Sequence, residues 1–226
     1  MTRIETQLES LFASLAEQVK LPLVQIRHAA ETGQTDIIDT TAQAALRLID
    51  GYLLSVRLQQ QGQLQLEPVS VSSLLYDVAD ELRPFAKLHN CEIELAVAGR
   101  YEPIMAEKQM LKAALLALGY GFIGATSVEG KQRPVIHLAV RRRGGGMTTG
   151  VYSAGDGIHA NLLKQARRLA GRAHQTLPGF TSESGAGVLI ADRLLAQQGT
   201  AMHVSRMYGL QGLATTLSPS RQLSLV

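Results

Sequence analysis

The sequence predicts an α+β protein in which an antiparallel helical hairpin precedes an α/β sandwich. Two amphipathic stretches, residues 2–32 and 36–61, carry apolar side chains three and four positions apart, as one face of a helix requires. Polar residues 59–63 interrupt that pattern, and shorter segments with strand and helix periodicities alternate after them. We therefore assign residues 1–63 to the hairpin and residues 64–226 to a sandwich with helices on one face of a mixed sheet.

Length and composition indicate the size of the hydrophobic core and the cellular compartment of the protein. The 226 residues suffice for one large hydrophobic core or two small ones. No apolar run approaches the ~20 residues of a membrane span, and the first helix carries charges where a signal peptide would be apolar. The single cysteine, Cys91, excludes an internal disulfide and fits a reducing compartment. We expect a cytoplasmic protein without a membrane partner.

The net charge of +3 is unevenly distributed. Residues 1–63 carry a net charge of −2, whereas residues 64–226 carry +5, much of it in Arg141–Arg143 and Arg167–Arg168. Short basic clusters can bind phosphate backbones. Because no aromatic residues are interleaved with these arginines, we expect a solvated loop and regard nucleic acid as an unlikely partner.

The two helices of the hairpin predict a homodimer. The first helix keeps Pro22 in its interior and ends at Gly33, and Thr35 or Asp36 caps the second. Two helices joined by a short turn cannot bury both apolar stripes alone, and pairing with a second copy gives a four-helix bundle. The first stripe comprises Leu8, Leu11, Phe12, Leu15, Val19, Ile26 and Ala30; the second comprises Ile38, Ala42, Ala45, Leu46, Ile49, Tyr52, Leu53 and Val56.

Residues 64–226 read as alternating strands and helices. We expect strands over 91–97 and 135–140, another from about Gly150, and a closing hairpin of 202–208 with 213–217. Helices are expected over 158–169 and 188–198. Residues 141–149 read as a Gly-rich turn, and residues 171–184 as an irregular loop.

Residues 16–23 resemble the phosphoacceptor box of sensor histidine kinases, usually S-H-E-L-R-T-P-L. Pro22 and Leu23 match its Pro-Leu, Lys20 its Arg and Val19 its Leu, while Glu17 stands where the family keeps the phosphorylated histidine. The later family segments follow in the family's order: residues 66–71 resemble the entry strand of the ATP-binding domain, residues 74–86 its first helix, and residues 107–125 the helix that carries the asparagine box. The resemblance implies a dimerisation hairpin followed by a sandwich of the histidine kinase ATPase type.

The same resemblance implies a degenerate nucleotide site. The asparagine box, N-L-L-x-N-A, has Ala117 and Gly121 at its asparagine positions, so no side-chain oxygen remains there for Mg²⁺. The adenine box, D-x-G-x-G, has Ser153 in place of its aspartate but keeps Gly155 and Gly157. The phosphate box, G-x-G-x-G, starts with Glu183 and keeps Gly185 and Gly187. We expect ATP and Mg²⁺ binding to be lost, no metal site, and glycines that serve turns entering helices.

The outer face of the first helix is the predicted partner-binding surface. At about 100° per residue, Glu17 and His28 project nearly opposite the apolar stripe, with Leu21 and Val24 between them. Exposed aliphatic side chains there have no role in the core of the hairpin. In the resembled family this face receives a response regulator.

These observations favour a catalytically inactive, histidine-kinase-like signalling protein of a two-component system. It would form a homodimer and bind a response-regulator receiver domain or a histidine kinase. Two alternatives stay open: a histidine phosphotransfer module with His28 as the acceptor, and an active ATP-dependent histidine kinase with unorthodox residues.

Overall fold

The computed structural model describes residues 16, 19–20, 22–61, 64–97, 99, 101–126, 133–154, 163 and 185–220. Its helices are α1 (22–31), α2 (Thr35–Gln61), α3 (Val71–Leu88), α4 (Lys108–Thr126) and α5 (Gly185–Gln197). Its strands are β1 (Glu67–Val69), β2 (Glu92–Ala96), β3 (Ile104–Ala106), β4 (Val135–Arg143), β5 (Gly146–Ser153), β6 (Met202–Met207) and β7 (Leu210–Leu217). None of the helices so described is long and apolar enough to cross a membrane.

The central sheet has five strands in the order β2-β4-β5-β7-β6, and β1 pairs with β3 in a separate ribbon. Strands β2 and β4 are parallel, and the other neighbours are antiparallel. Residues of α3, α4 and α5 form the main hydrophobic core with one face of this sheet. A smaller buried cluster of Ala139, Tyr152, Met207 and Ala214 lies on the other face. The predicted α+β class, with helices on one face of a mixed sheet, is confirmed.

Helix α3 shows how the sequence determines these elements. Ser70 caps it by accepting a hydrogen bond from the Ser73 amide. Its apolar residues recur at helical spacing and face the core, where Leu75 and Val78 are fully buried. Pro84 lies on the exposed side, and the helix continues past it, as predicted, although it spans Val71–Leu88 instead of 74–86.

The arginines of residues 141–143 do not form the predicted loop. They continue β4, and the chain reverses at Gly144 and Gly145, whose φ angles are +57° and +80°. A two-residue turn with positive φ at both positions suits glycine, which has no Cβ to clash. The turn is therefore shorter than predicted, and β5 begins at Gly146 instead of near Gly150. Likewise, β7 begins at Leu210 instead of Leu213, after a tight turn at Tyr208 and Gly209.

Helix α2 packs against both α4 and α5. Ala44 and Leu48 belong to the main core. A Cβ added at Gly51 would lie 3.3 Å from Ile190 Cγ2, and Gln197 Nε2 donates a hydrogen bond of 2.7 Å to the Ser55 carbonyl. The sequence prediction missed this contact, although a glycine in mid-helix is the kind of residue that permits close helix approach.

Helix α1 differs in detail from the predicted stripe. Val19, which is helical and precedes α1, packs against the main core, and Ile26 is half-buried, as expected. The buried alanine, however, is Ala29, whereas Ala30 is exposed in the single chain. The helix expected over 158–169 lies outside the described residues except at Leu163, which is helical and buried, and so does the loop expected over 171–184.

Candidate functional site

Helices α4 and α5 bring three of the candidate nucleotide-site positions into contact. Gly187 lies in the first turn of α5, and a Cβ added to it would be 2.3 Å from the Ala117 carbonyl oxygen and 3.5 Å from the Gly121 amide nitrogen. Ala117 is 3% exposed and Gly121 is buried. Gly187 therefore serves close helix packing and not the turn that we predicted for it. No side-chain oxygen is present at either asparagine-box position.

Ser153, at the aspartate position of the adenine box, ends β5 on the side of the sheet that the helices cover. It pairs with Ile136 across the sheet and is 2% exposed. Its Oγ finds no hydrogen-bond partner among the described residues. A neutral hydroxyl replaces the charged acceptor that the resembled family uses toward the adenine amino group. Ser153 therefore carries no negative charge at this position.

The remaining positions of the predicted site are only partly described. Gly185 is the first residue of α5, at the helix N-terminus. Gly155, Gly157 and Glu183 lie outside the described residues. Within the described ranges, no group of three or more His, Cys, Asp or Glu side chains is arranged to hold a metal ion.

Tyr120 lies between Ala117 and Gly121 on α4 and is 6% exposed. Its ring packs edge-on against Phe85, with the ring centroids 5.1 Å apart. Burial raises the pKa of the Tyr120 hydroxyl to about 12, with a further increase from Glu81 and a decrease from Arg47. This side chain is therefore neutral at physiological pH and contributes aromatic packing to the asparagine-box helix.

An ion-pair cluster joins α2 to the helices of the sandwich. Glu81 of α3 pairs with Lys112 of α4, and Arg47 Nε of α2 lies 3.3 Å from Glu81 Oε2. Periodicity alone gives no signal for this cluster, because its members come from three separate helices. It reinforces the contact between α2 and the sandwich at partly exposed positions.

The described part of the predicted partner-binding face is exposed. Val24 is 45% exposed, and His28 is also exposed. Glu17 and Leu21 lie outside the described residues. Leu23, which was not assigned to this face, is 57% exposed beside Val24. The α1 surface thus presents two adjacent aliphatic side chains together with an imidazole.

No protein-family model and no curated protein matches this sequence. Solved structures do match. The catalytic domain of the histidine kinase ThkA has a TM-score of 0.54 at 11% identity, covering 69% of this chain and 97% of that one. The Acinetobacter baumannii histidine kinase AdeS has a TM-score of 0.52 at 10% identity, covering 89% and 96%.

A third similar structure is full-length ShkA in complex with AMPPNP, with a TM-score of 0.53 at 20% identity. The match covers 97% of this chain and 47% of ShkA. The TM-scores show that the fold is shared, whereas sequence identities this low say nothing about the activity. The α/β part of the chain has a fold like that of the catalytic domain of histidine kinases.

Proposed function

We propose that this chain is a dimeric two-component signalling protein that does not act as an ATP-dependent kinase. It works by protein–protein contact, binding a response-regulator receiver domain or a histidine kinase and altering its phosphorylation state. The observation that carries the proposal is the contact of Gly187 with Ala117 and Gly121. A fold that elsewhere holds Mg–ATP has only backbone and apolar groups at these positions.

The chemistry of the site supports a lost nucleotide function. Mg²⁺ requires hard oxygen ligands from the protein as well as from the phosphates. Ala117 and Gly121 supply none, and Ser153 cannot supply the anionic acceptor for an adenine amino group. Glu183 would place a negative charge beside the polyphosphate, opposing the helix dipole that attracts it.

Calorimetry with ATP and Mg²⁺ tests this part of the proposal. We expect no binding tighter than about 100 μM, which corresponds to roughly −5.5 kcal/mol. Tighter Mg–ATP binding that Ser153→Ala weakens would place a working nucleotide site here. The protein would then be an active kinase with unorthodox residues.

The exposed face of α2 supports a homodimer. Leu46 and Leu53 are seven positions apart, so they share one face, and they are 57% and 40% exposed in the single chain. Leu23 of α1 adds a further exposed leucine. In the proposed four-helix bundle, a second copy of the hairpin covers these side chains.

Light scattering tests the dimer. The wild type should be a dimer at micromolar concentration, and Leu46→Glu combined with Leu53→Glu should produce a folded monomer because it places charges in an apolar interface. Leu66→Glu is the matched control, since Leu66 is 48% exposed but lies outside the hairpin. A monomeric wild type would eliminate the bundle.

Docking of a partner is assigned to the α1 face of Glu17, Leu21, Val24 and His28. Val24→Asp and Leu21→Asp should each weaken binding of the partner by more than ~1 kcal/mol, because each places a charge in an apolar contact. Glu17→Gln should have a smaller effect, mainly on the dependence of binding on salt and Mg²⁺. Unchanged affinity in both aspartate variants would exclude this face.

The exposure of His28 favours a second candidate function, phosphotransfer. A solvent-accessible imidazole on the receiver-docking face could accept a phosphoryl group from a phosphorylated receiver and pass it on. Incubation with a labelled phosphoreceiver should then give acid-labile label on the wild type and none on His28→Ala. Label that persists in His28→Ala would exclude His28 as the carrier.

A further inference from the structure

A basic groove lies where the end of β4 meets β6, away from α4 and α5. It has a volume of about 480 Å³ and is lined by Arg141, Arg142, Arg143, Val204, Ser205 and Arg206. Volumes of this size are typical of small-molecule sites. From the sequence, Arg141, Arg142 and Arg143 were assigned to a solvated loop, and Arg206 was not associated with them.

The coiling of the sheet forms this groove. Strands β5 and β7 lie between β4 and β6, so a flat sheet would hold β4 and β6 about 14 Å apart. Nevertheless, Arg141 Nη2 donates a hydrogen bond of 3.3 Å to Ser205 Oγ. The Tyr152 hydroxyl also donates to Ser205 Oγ, at 3.2 Å. These contacts hold the wall of the groove in place.

The positive charge in the groove is largely uncompensated. Arg142 pairs with Glu102 at 3.4 Å, but both side chains are more than half exposed, so the pair is weak. In the part of the chain that the structure describes, no carboxylate pairs with Arg141, Arg143 or Arg206. Arg141 Nε is buried and has no hydrogen-bond partner there. Four arginines that line one groove favour the binding of an anion within it.

The size and the lining residues of the groove favour one kind of anion. An oligophosphate carries several negative charges within a few ångströms and matches guanidinium donors bidentately. Carboxylates on one side of an extended peptide are about 7 Å apart, so a groove of this size would meet fewer of them. Val204 is the single apolar lining residue, which leaves no platform for stacking bases.

We infer that this groove binds a small oligophosphate, recognised through its phosphate oxygens by Arg143 and Arg206, while Arg141 adds positive charge from the wall. The site is independent of the proposed signalling function. Arg141, Arg143 and Ser205 lie on the face of the sheet opposite the degenerate nucleotide positions, and Arg206 belongs to the edge strand β6.

Calorimetry with sodium tripolyphosphate, without Mg²⁺ and at low salt, tests the site in the full chain. We expect saturable binding that weakens by tenfold or more in Arg143→Gln combined with Arg206→Gln, and that also weakens as salt rises. The matched control is Arg83→Gln with Arg133→Gln, which removes the same charge from exposed surface positions. It should change the affinity less than twofold.

Three results would overturn the inference. The first is no saturable binding to the wild type up to about 1 mM. The second is equal weakening by both double variants, because the effect would then be one of net charge alone. The third is hexaglutamate binding as tightly as tripolyphosphate, which would make the groove a site for acidic peptides. Circular dichroism of each variant verifies that it is folded.

Discussion

Replacing Gly187 with alanine should destabilise the protein, although alanine is normally the better helix former. The added Cβ would lie 2.3 Å from the Ala117 carbonyl oxygen, well inside the ~3.5 Å at which non-bonded heavy atoms attract. The atom it meets belongs to the backbone of α4, so no change of rotamer can relieve the overlap. Helices α4 and α5 would have to separate by about 1 Å.

The magnitude follows from two opposing terms. Overpacking of this kind costs ~1–3 kcal/mol. The higher helix propensity of alanine relative to glycine stabilises the folded state by at most ~1 kcal/mol, and by less in the first turn of a helix. The free energy of unfolding should therefore fall by ~1–2 kcal/mol, which corresponds to a Tm lower by roughly 2–8 °C in a chain of this length.

Gly51→Ala is the matched comparison, since it makes the same change in α2. Its Cβ would meet only the Cγ2 methyl of Ile190, at 3.3 Å. A side-chain methyl can shift by a few tenths of an ångström, so this variant should be as stable as the wild type or more so. Thermal and urea unfolding at one fixed protein concentration measure both variants. If Gly187→Ala proved at least as stable as Gly51→Ala, the close α4–α5 contact assigned here would be wrong.

Three further predictions concern other parts of the fold. Burial lowers the pKa of His89 from its usual value of 6.5, so the unfolded chain binds the proton more readily than the folded chain. The free energy of unfolding should therefore fall as the pH drops below about 6.5. His89→Asn should make this decline shallower, as measured by urea midpoints across that pH range. A double-mutant cycle of Arg47 and Glu81 should give a coupling of at most ~1 kcal/mol that shrinks with added salt, because both side chains are partly exposed. Gly33 has a φ of +72° with open space around it, so Gly33→Ala should cost ~1 kcal/mol through backbone strain alone, measured by thermal unfolding.

Sequence patterns were sufficient to predict the presence and type of most of the described helices and strands. The helix containing Val78 was predicted through Pro84, but its start was placed at residue 74 because Ser70, which caps the helix, was assigned to the preceding strand. The two hairpin turns were placed less well. At Gly144–Gly145 the prediction treated the arginines as loop residues, whereas two adjacent glycines tighten the turn and leave those arginines in the strand.

The candidate site was found only in part because its geometry depends on contacts between distant segments. The spacing of glycines in the sequence identified Gly187 as a candidate residue. It did not predict that the missing side chain lets α5 approach the backbone of α4. The docking of α2 and the meeting of Arg206 with Arg141 depend on helix packing and sheet coiling. Neither leaves a pattern within one stretch of sequence.

The dependence of binding on Mg²⁺ distinguishes the arginine groove from the degenerate nucleotide site in any nucleotide-binding measurement. ATP carries a triphosphate, so the arginine groove could bind it weakly even if the degenerate site binds nothing. Mg²⁺ neutralises part of the phosphate charge, which should weaken binding to guanidinium groups, whereas a kinase-type site requires the Mg²⁺ complex. We therefore expect any ATP binding to be stronger without Mg²⁺ and to be lost in Arg143→Gln with Arg206→Gln. ATP binding that strengthens with Mg²⁺ and survives that double variant would point to a working nucleotide site beside α4 and contradict the proposed loss of kinase function.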